Sequence, residues 1–171
     1  MELTLILLFI ILSIGVSLGV GSSTLAITNF FVAIADGTID ETERNMMGIV
    51  YIVLRVAMGI ILLSLLALTI IAEMTHVVDV PHVFILSSWS LVGVLYSNAF
   101  LMTKHIMPST IGPALQASSW YTLGVSMTLF SFGLANYKML NFYLSYFVVI
   151  LLAASLVNGM MAYLKHKRVH G

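Results

Sequence analysis

The sequence contains no cysteine and few charged residues. Without cysteine, disulfide bonds, thiolate metal sites and cysteine nucleophiles are excluded. Charged residues make up only 8% of the 171 residues, whereas a soluble domain carries roughly a quarter. The seven basic residues are balanced by seven acidic ones, so the chain lacks the positive excess typical of nucleic-acid binding. A water-facing surface and a nucleic-acid partner are therefore not expected.

The start of the chain lacks the basic segment and the small-residue cleavage pattern of a secretory signal peptide. The first apolar stretch, 3–35, is also longer than the apolar core of such a peptide. We therefore expect this stretch to be retained as a first membrane span.

Four short polar segments divide the chain into five long apolar stretches. Each stretch can cross ~30 Å of hydrocarbon at ~1.5 Å per residue. Lipid admits only helices or closed barrels, and most of these stretches lack the alternation of β-strands. The sequence therefore predicts a single-domain, all-α integral membrane bundle of about five transmembrane helices. The expected spans are 3–35, 46–72, 82–103, 114–134 and 142–164.

Positive residues are distributed unequally between the two ends of the predicted bundle. An odd number of spans places the termini on opposite sides, and Lys138 lies alone on the side of the N-terminus. Five basic residues lie on the other side: Arg44, Lys104, Lys165, Lys167 and Arg168. The positive-inside rule then predicts that the N-terminus is outside and the C-terminus is in the cytoplasm.

Polar side chains occur at a similar depth on all five predicted helices. Counted inward from the outer boundaries at ~1.5 Å per residue, they lie about 24–32 Å down each span. We therefore expect one polar layer near the inner leaflet. Its members are Ser22, Ser23, Arg55, Asn98, Gln116 and Asn158.

Two interpretations of this polar layer are open. In the first, Arg55 extends to the inner interface while the amides hydrogen-bond between helices. In the second, Arg55 is the cationic centre of a polar cavity, because ionisable residues at depth usually face one. No carboxylate lies at that level, so an anion, water or helix carbonyls would have to pair with Arg55. We favour the first interpretation.

The turn between the first two spans is acidic. Asp40 and Glu43 have the spacing of a capping box, which begins a helix. The turn also resembles the second half of an EF-hand calcium loop, but Val32 and Ile34 supply no side-chain oxygen at the earlier ligand positions. We therefore predict a helix–turn–helix joint without calcium.

One set of possible metal ligands lies in the loop after the second span. His76, Asp79 and His82 offer imidazole and carboxylate groups that suit zinc or copper. Loops in contact with water contain such residues without binding metal, and Pro81 restricts the approach of the last ligand. We expect no high-affinity metal site there.

A second set lies at the inner end of the third span. Met102, His105 and Met107 offer soft ligands for copper(I) or an axial ligand for haem. Most methionines in a membrane chain pack against lipid or protein. The chain also lacks paired histidines at one depth within the bilayer. No cofactor follows from the sequence.

Small residues recur at helical spacing in the first span. Gly15 and Gly19 are four residues apart, and Ser13, Ser17 and Gly21 form a second ridge. Such ridges allow helices to approach closely, either within the chain or between protomers.

Several short motifs resemble a known family. They are Gly19-Val20-Gly21-Ser22-Ser23-Thr24, Asn29-Phe30-Phe31, Asp36-Gly37-Thr38-Ile39 with Glu43, Asn98, His105, Pro108 and Ser118-Ser119-Trp120-Tyr121. In these motifs the chain resembles a family of uncharacterised small prokaryotic multi-span membrane proteins, a domain of unknown function. The resemblance implies a helical bundle in a prokaryotic cytoplasmic membrane and implies no activity. A more distant likeness, in helix count and size, is to copper-resistance D type membrane proteins. Their histidine near the start of the first helix is absent from Leu7-Leu8-Phe9.

No catalytic motif stands out in the sequence. A Ser/His/Asp set, a phosphate-binding glycine loop and paired intramembrane carboxylates are all missing. The leading hypothesis is a non-enzymatic membrane protein, either a self-associating bundle or a subunit of a larger membrane assembly. Its partners would be lipid, copies of itself or other membrane subunits. One alternative is a small transporter or channel for an anion or metal ion at the cluster around Arg55. Another is a haem- or copper-binding redox membrane protein.

Overall fold

The computed structural model describes residues 2–36, 40–75, 80–104, 106–108 and 111–170. Over these residues the chain forms five α-helices and no β-strand, which confirms the predicted all-α class. The helices are α1 (Glu2–Asp36), α2 (Glu41–Thr75), α3 (His82–Thr103), α4 (Ile111–Ser131) and α5 (Met139–His170).

Four of these helices, α1, α2, α3 and α5, are long and apolar enough to cross a membrane. The fifth, α4, has 21 residues and no charged side chain, but its most apolar stretch is less apolar than those of the other four helices. Serine, threonine and glutamine residues account for this difference. The chain is an all-α membrane bundle that contains one comparatively polar helix.

The helix ends follow local hydrogen bonding more closely than hydropathy. α3 has the predicted bounds, whereas α2 begins at Glu41, five residues before the expected span. The backbone N–H of Asp40 donates to Glu43 Oε2 at 3.1 Å, and the N–H of Glu43 donates to Asp40 Oδ1 at 2.6 Å. This reciprocal pair confirms the capping box, and it places the acidic first turn inside the helix.

The last turn of α4 closes in a Schellman motif. The N–H of Gly133 donates to the carbonyl of Phe130 at 2.9 Å, and that of Leu134 donates to Leu129 at 2.8 Å. Gly133 adopts a φ of 69°, a left-handed conformation that glycine enters without steric cost. α4 therefore ends three residues before the boundary expected from hydropathy. Hydropathy does not show where a residue adopts a left-handed conformation and ends a helix.

α4 packs against α1, α3 and α5. At one end of α3, Asn98 bonds Gln116 of α4, and at the other end Phe84 stacks on Phe130 with ring centroids 4.5 Å apart. α3 and α4 are therefore antiparallel. The three neighbouring helices shield several polar residues of α4 from lipid, and the buried ones are Ser118, Ser119 and Ser126.

α1 packs closely against both α4 and α2 at two glycine residues. The indole of Trp120 is completely buried, and a methyl group added at Gly19 would overlap its ring. A methyl group at Gly15 would come within 2.8 Å of Ile60 on α2. The Gly15 and Gly19 ridge thus provides close approach within the chain, which is one of the two roles that its spacing predicts.

Tyrosine hydroxyl groups attach α5 and the segment before it to the bundle. Each shares a hydrogen bond with a serine hydroxyl, which satisfies two polar groups that would otherwise be costly in an apolar environment. The pairs are Tyr137–Ser87 at 2.9 Å, Tyr143–Ser90 at 2.8 Å and Tyr146–Ser119 at 2.6 Å.

Candidate functional site: a cavity around Arg55

A cavity of about 140 Å³ lies between the first four helices. Met102 and Thr103 on α3 and Pro113 on α4 line it, so it lies at the end of the bundle where α3 ends and α4 begins. Its walls are mostly apolar, with a polar patch on one part. The polar lining residues are Ser23, Tyr51, Arg55, Thr103 and Gln116.

Arg55 lies near this end of the bundle because of the register between α2 and α3. The hydroxyl of Tyr96 donates to the carbonyl of Met58 at 3.1 Å. Arg55 precedes Met58 by three residues and is therefore ~5 Å closer to the end of α3. Its side chain is exposed, and it makes no hydrogen bond or ion pair with any residue that the structure describes. Arg55 thus lines the cavity, and no described residue pairs with the five N–H donors of its guanidinium group.

Asn98 does not line the cavity but hydrogen-bonds Gln116, which does. It is 1% exposed, and its Nδ2 donates to the carbonyl of Gly112 at 2.9 Å and to Gln116 Oε1 at 3.0 Å. Its Oδ1 is buried without a partner among the described residues. Because Asn98 occupies the oxygen of the Gln116 side chain, the Nε2 of Gln116 remains as a donor for the cavity.

The polar patch of the cavity is suited to an anion. It combines a guanidinium group, the free amide N–H₂ of Gln116 and the hydroxyl of Ser23, which is 2% exposed and lacks a described partner. No aspartate or glutamate is among the described residues that line the cavity. Charge-assisted hydrogen bonds from such donors to an oxyanion are about twice as strong as neutral ones.

The predicted polar layer is only partly assembled. Ser23, Arg55 and Gln116 share the cavity, and Asn98 bonds Gln116 directly. Ser22 is buried but does not line the cavity. Of the hydrogen bonds expected within the layer, the one between Asn98 and Gln116 is present. Among the described residues, Arg55 bonds neither of them.

Asn158 does not take part in this cavity. It is exposed and does not line the cavity, and no other described residue of α5 lines it either. Depth counting gives the level of a residue along its helix but not the side of the helix on which the residue lies.

The possible metal ligands are only partly within the described structure. His76, Asp79 and His105 lie outside the described residues. His82 is the first residue of α3, far along that helix from Met102, which lines the cavity. In the part of the chain that is described, no group of three or more His, Asp or Glu side chains is positioned to hold a metal.

The two methionines of the second set do come together. A methyl group added at Gly112 would lie 2.9 Å from Met102 and 3.2 Å from Met107, so both side chains pack on this glycine. The sulfur of Met102 also accepts an N–H from Asn98 at 3.6 Å. Both methionines therefore take part in packing at the start of α4.

Two of the polar cavity residues, Tyr51 and Thr103, were not identified from the sequence. Tyr51 precedes Arg55 by four residues, so helical periodicity places both on one face of α2. This signal was available in the sequence. Thr103 had no such signal, since it is the last residue of α3 and its hydroxyl donates to the carbonyl of Ala99 at 2.8 Å.

Comparison with protein-family models, with curated proteins and with solved structures finds no match for this chain. The site must therefore be interpreted from its own residues.

Proposed function

We propose that this chain is a non-enzymatic integral membrane protein that binds an amphipathic anion in the cavity around Arg55. The carboxylate or phosphate head would accept hydrogen bonds from Arg55, Gln116 and Ser23, and the apolar tail would lie along the methionine and leucine side chains of the wall. The observation that carries this proposal is the unpaired guanidinium group on a mostly apolar cavity.

The position of Arg55 also agrees with this ligand class. A cation near the end of a helical bundle can contact headgroup-sized anions without a path through the hydrocarbon core. An amphipathic anion would have its head at that level and its tail deeper in the bundle. We further propose a cytoplasmic membrane of a prokaryote, with the cavity facing the cytoplasmic leaflet, on the basis of the Lys and Arg distribution.

Binding of decanoate and decyl phosphate to the purified protein in phosphatidylcholine nanodiscs, measured by calorimetry against empty nanodiscs, tests the proposal. Arg55→Leu should weaken binding about tenfold to a hundredfold, because hydrogen bonds to charged groups contribute ~1.5–3 kcal/mol. Arg55→Lys should retain part of the affinity because the charge remains while the bidentate geometry is lost. The matched control is Arg44→Leu, which removes an exposed arginine of the same helix that does not line the cavity.

Equal affinities in Arg55→Leu and Arg44→Leu would show that bulk charge or the bilayer, and not the cavity, binds the ligand. Decanol is a second control, since it has the same chain without the charge. Its affinity should not depend on Arg55.

A second candidate function is self-association or membership of a larger membrane assembly. The ridge of Ser13, Ser17 and Gly21 faces an open groove between α1 and α4, and small residues of α4 complete this groove. Such grooves allow a further helix to approach closely. Ser17→Leu should then lower the fraction of oligomer measured by cross-linking in nanodiscs. An unchanged fraction would remove this candidate.

A further inference from the structure

A second cleft, separate from the Arg55 cavity, lies between α4 and α5. Its volume is about 340 Å³. No lysine, arginine, aspartate or glutamate is among the described residues that line it. Its polar lining consists of uncharged side chains, namely those of Tyr121, Thr122, Ser126, Asn141, Ser145 and the two tyrosines Tyr137 and Tyr146.

Two hydroxyl groups in this cleft differ from the other hydroxyls of α4. Serine and threonine inside helices commonly donate to the carbonyl three or four residues earlier. Ser119 and Thr128 on α4 do so, with bonds of 2.7 and 3.0 Å. In contrast, Thr122 Oγ1 is buried without a partner, and Ser126, only 3% exposed, has none among the described residues.

The unpaired hydroxyls lie close together and deep in the bundle. Thr122 and Ser126 are one helical turn apart, ~6 Å along the axis, and both line the cleft. Thr122 is nine residues from Ser131 and eleven from Ile111, which puts it near the middle of α4. A partner that reaches them from outside the protein comes from the lipid phase. The tyrosine hydroxyls at the cleft are already engaged, those of Tyr137 and Tyr146 with serines of α3 and α4 and that of Tyr121 with Thr24 of α1.

The opposite wall of the cleft is aromatic. The rings of Tyr137, Phe142 and Tyr146 follow one another with centroids 5.8 and 6.3 Å apart and interplanar angles of 16° and 19°. This wall suits an apolar body. A charged head would be unfavourable because a charge without a partner in an apolar environment loses several kcal/mol of solvation.

We propose that the α4–α5 cleft binds a neutral amphiphile whose head is an uncharged oxygen, either a hydroxyl or a carbonyl group. Thr122 and Ser126 hydrogen-bond this oxygen, and the aromatic wall contacts the apolar body. The proposal is independent of the Arg55 cavity, which is suited to an anion.

Decanol and 1-chlorodecane, which have equal chains but differ in the hydroxyl, test the site by calorimetry in phosphatidylcholine nanodiscs. Decanol should bind saturably and more tightly than 1-chlorodecane. Thr122→Val should weaken decanol binding about fivefold, the loss expected for one neutral hydrogen bond, and adding Ser126→Ala should weaken it about 25-fold in total. The affinity for 1-chlorodecane should not change in either variant.

The matched control is Thr128→Val, which removes a hydroxyl that is bonded within α4 and faces a different groove. It should leave decanol binding unchanged, and the three variants should melt at the same temperature. Equal decanol affinity in Thr122→Val and Thr128→Val would overturn the proposal, and so would equal binding of decanol and 1-chlorodecane. An absence of saturable decanol binding would mean that these hydroxyls bind only water, which also overturns it. Decanoate binding serves as the separate readout of the Arg55 cavity.

Discussion

The contact between Gly19 and Trp120 predicts a large effect from the smallest possible substitution. In Gly19→Ala the new methyl group would overlap the indole ring, whereas carbon atoms normally pack about 3.5–4.0 Å apart. Trp120 has no exposed surface, so it cannot rotate into open space. α1 and α4 must then separate. Overpacking of this kind costs about 1–3 kcal/mol, and alanine recovers at most ~1 kcal/mol of helix propensity. We expect a net destabilisation of about 1–2 kcal/mol.

A graded series of glycine substitutions makes this expectation specific. Gly15→Ala meets side-chain atoms of Ile60 and Ile61, the nearest at 2.8 Å, and should destabilise less than Gly19→Ala. Gly59→Ala meets nothing within 4 Å and should be neutral or slightly stabilising. Unfolding in mixed micelles with increasing dodecyl sulfate, followed by tryptophan fluorescence, gives the order of the midpoints. If Gly19→Ala unfolds at the same midpoint as Gly59→Ala, the tight crossing of α1 and α4 does not exist.

Two further predictions concern the α3–α4 contact and the topology. Asn98→Leu removes two interhelical hydrogen bonds and should destabilise the bundle by about 1–2 kcal/mol in the same unfolding assay, whereas the exposed Asn158→Leu should have almost no effect. Equal midpoints for the two asparagine variants would contradict a structural role for Asn98. Because the chain has no cysteine, Gly171→Cys gives a single label site at the C-terminus. An impermeant maleimide should fail to label it in intact cells, and labelling would reverse the proposed orientation.

The number and approximate position of the helices could be predicted because long apolar runs and few charges leave little alternative in lipid. The ends of α2 and α4 could not be predicted from hydropathy. The Asp40–Glu43 capping box extends α2 into a charged segment, and the left-handed Gly133 ends α4 within an apolar one. Both ends depend on backbone hydrogen bonds, to which hydropathy is insensitive.

The candidate site could be predicted only where helical register agreed with depth. Counting residues predicted that Arg55, Asn98 and Gln116 lie at one level. In the structure, Arg55 and Gln116 line one cavity, and Asn98 hydrogen-bonds Gln116. Depth alone did not show that Asn158 is exposed and lies outside the cavity. The sequence also could not show that the hydroxyl of Thr122 is unpaired, since a threonine whose hydroxyl bonds within its helix is the same residue in the sequence.

The comparatively polar character of α4 has a consequence for how the protein is made. A segment with this composition leaves the translocon for lipid less readily than the other four helices, because each serine or glutamine that faces hydrocarbon is unfavourable. α4 follows α3 after a connection of only seven residues, 104–110. We therefore expect α4 to enter the bilayer together with α3, as a hairpin in which Asn98 and Gln116 already pair. α3 and α4 would then be inserted as one unit, and the Arg55 cavity would form only when this unit packs against α1 and α2.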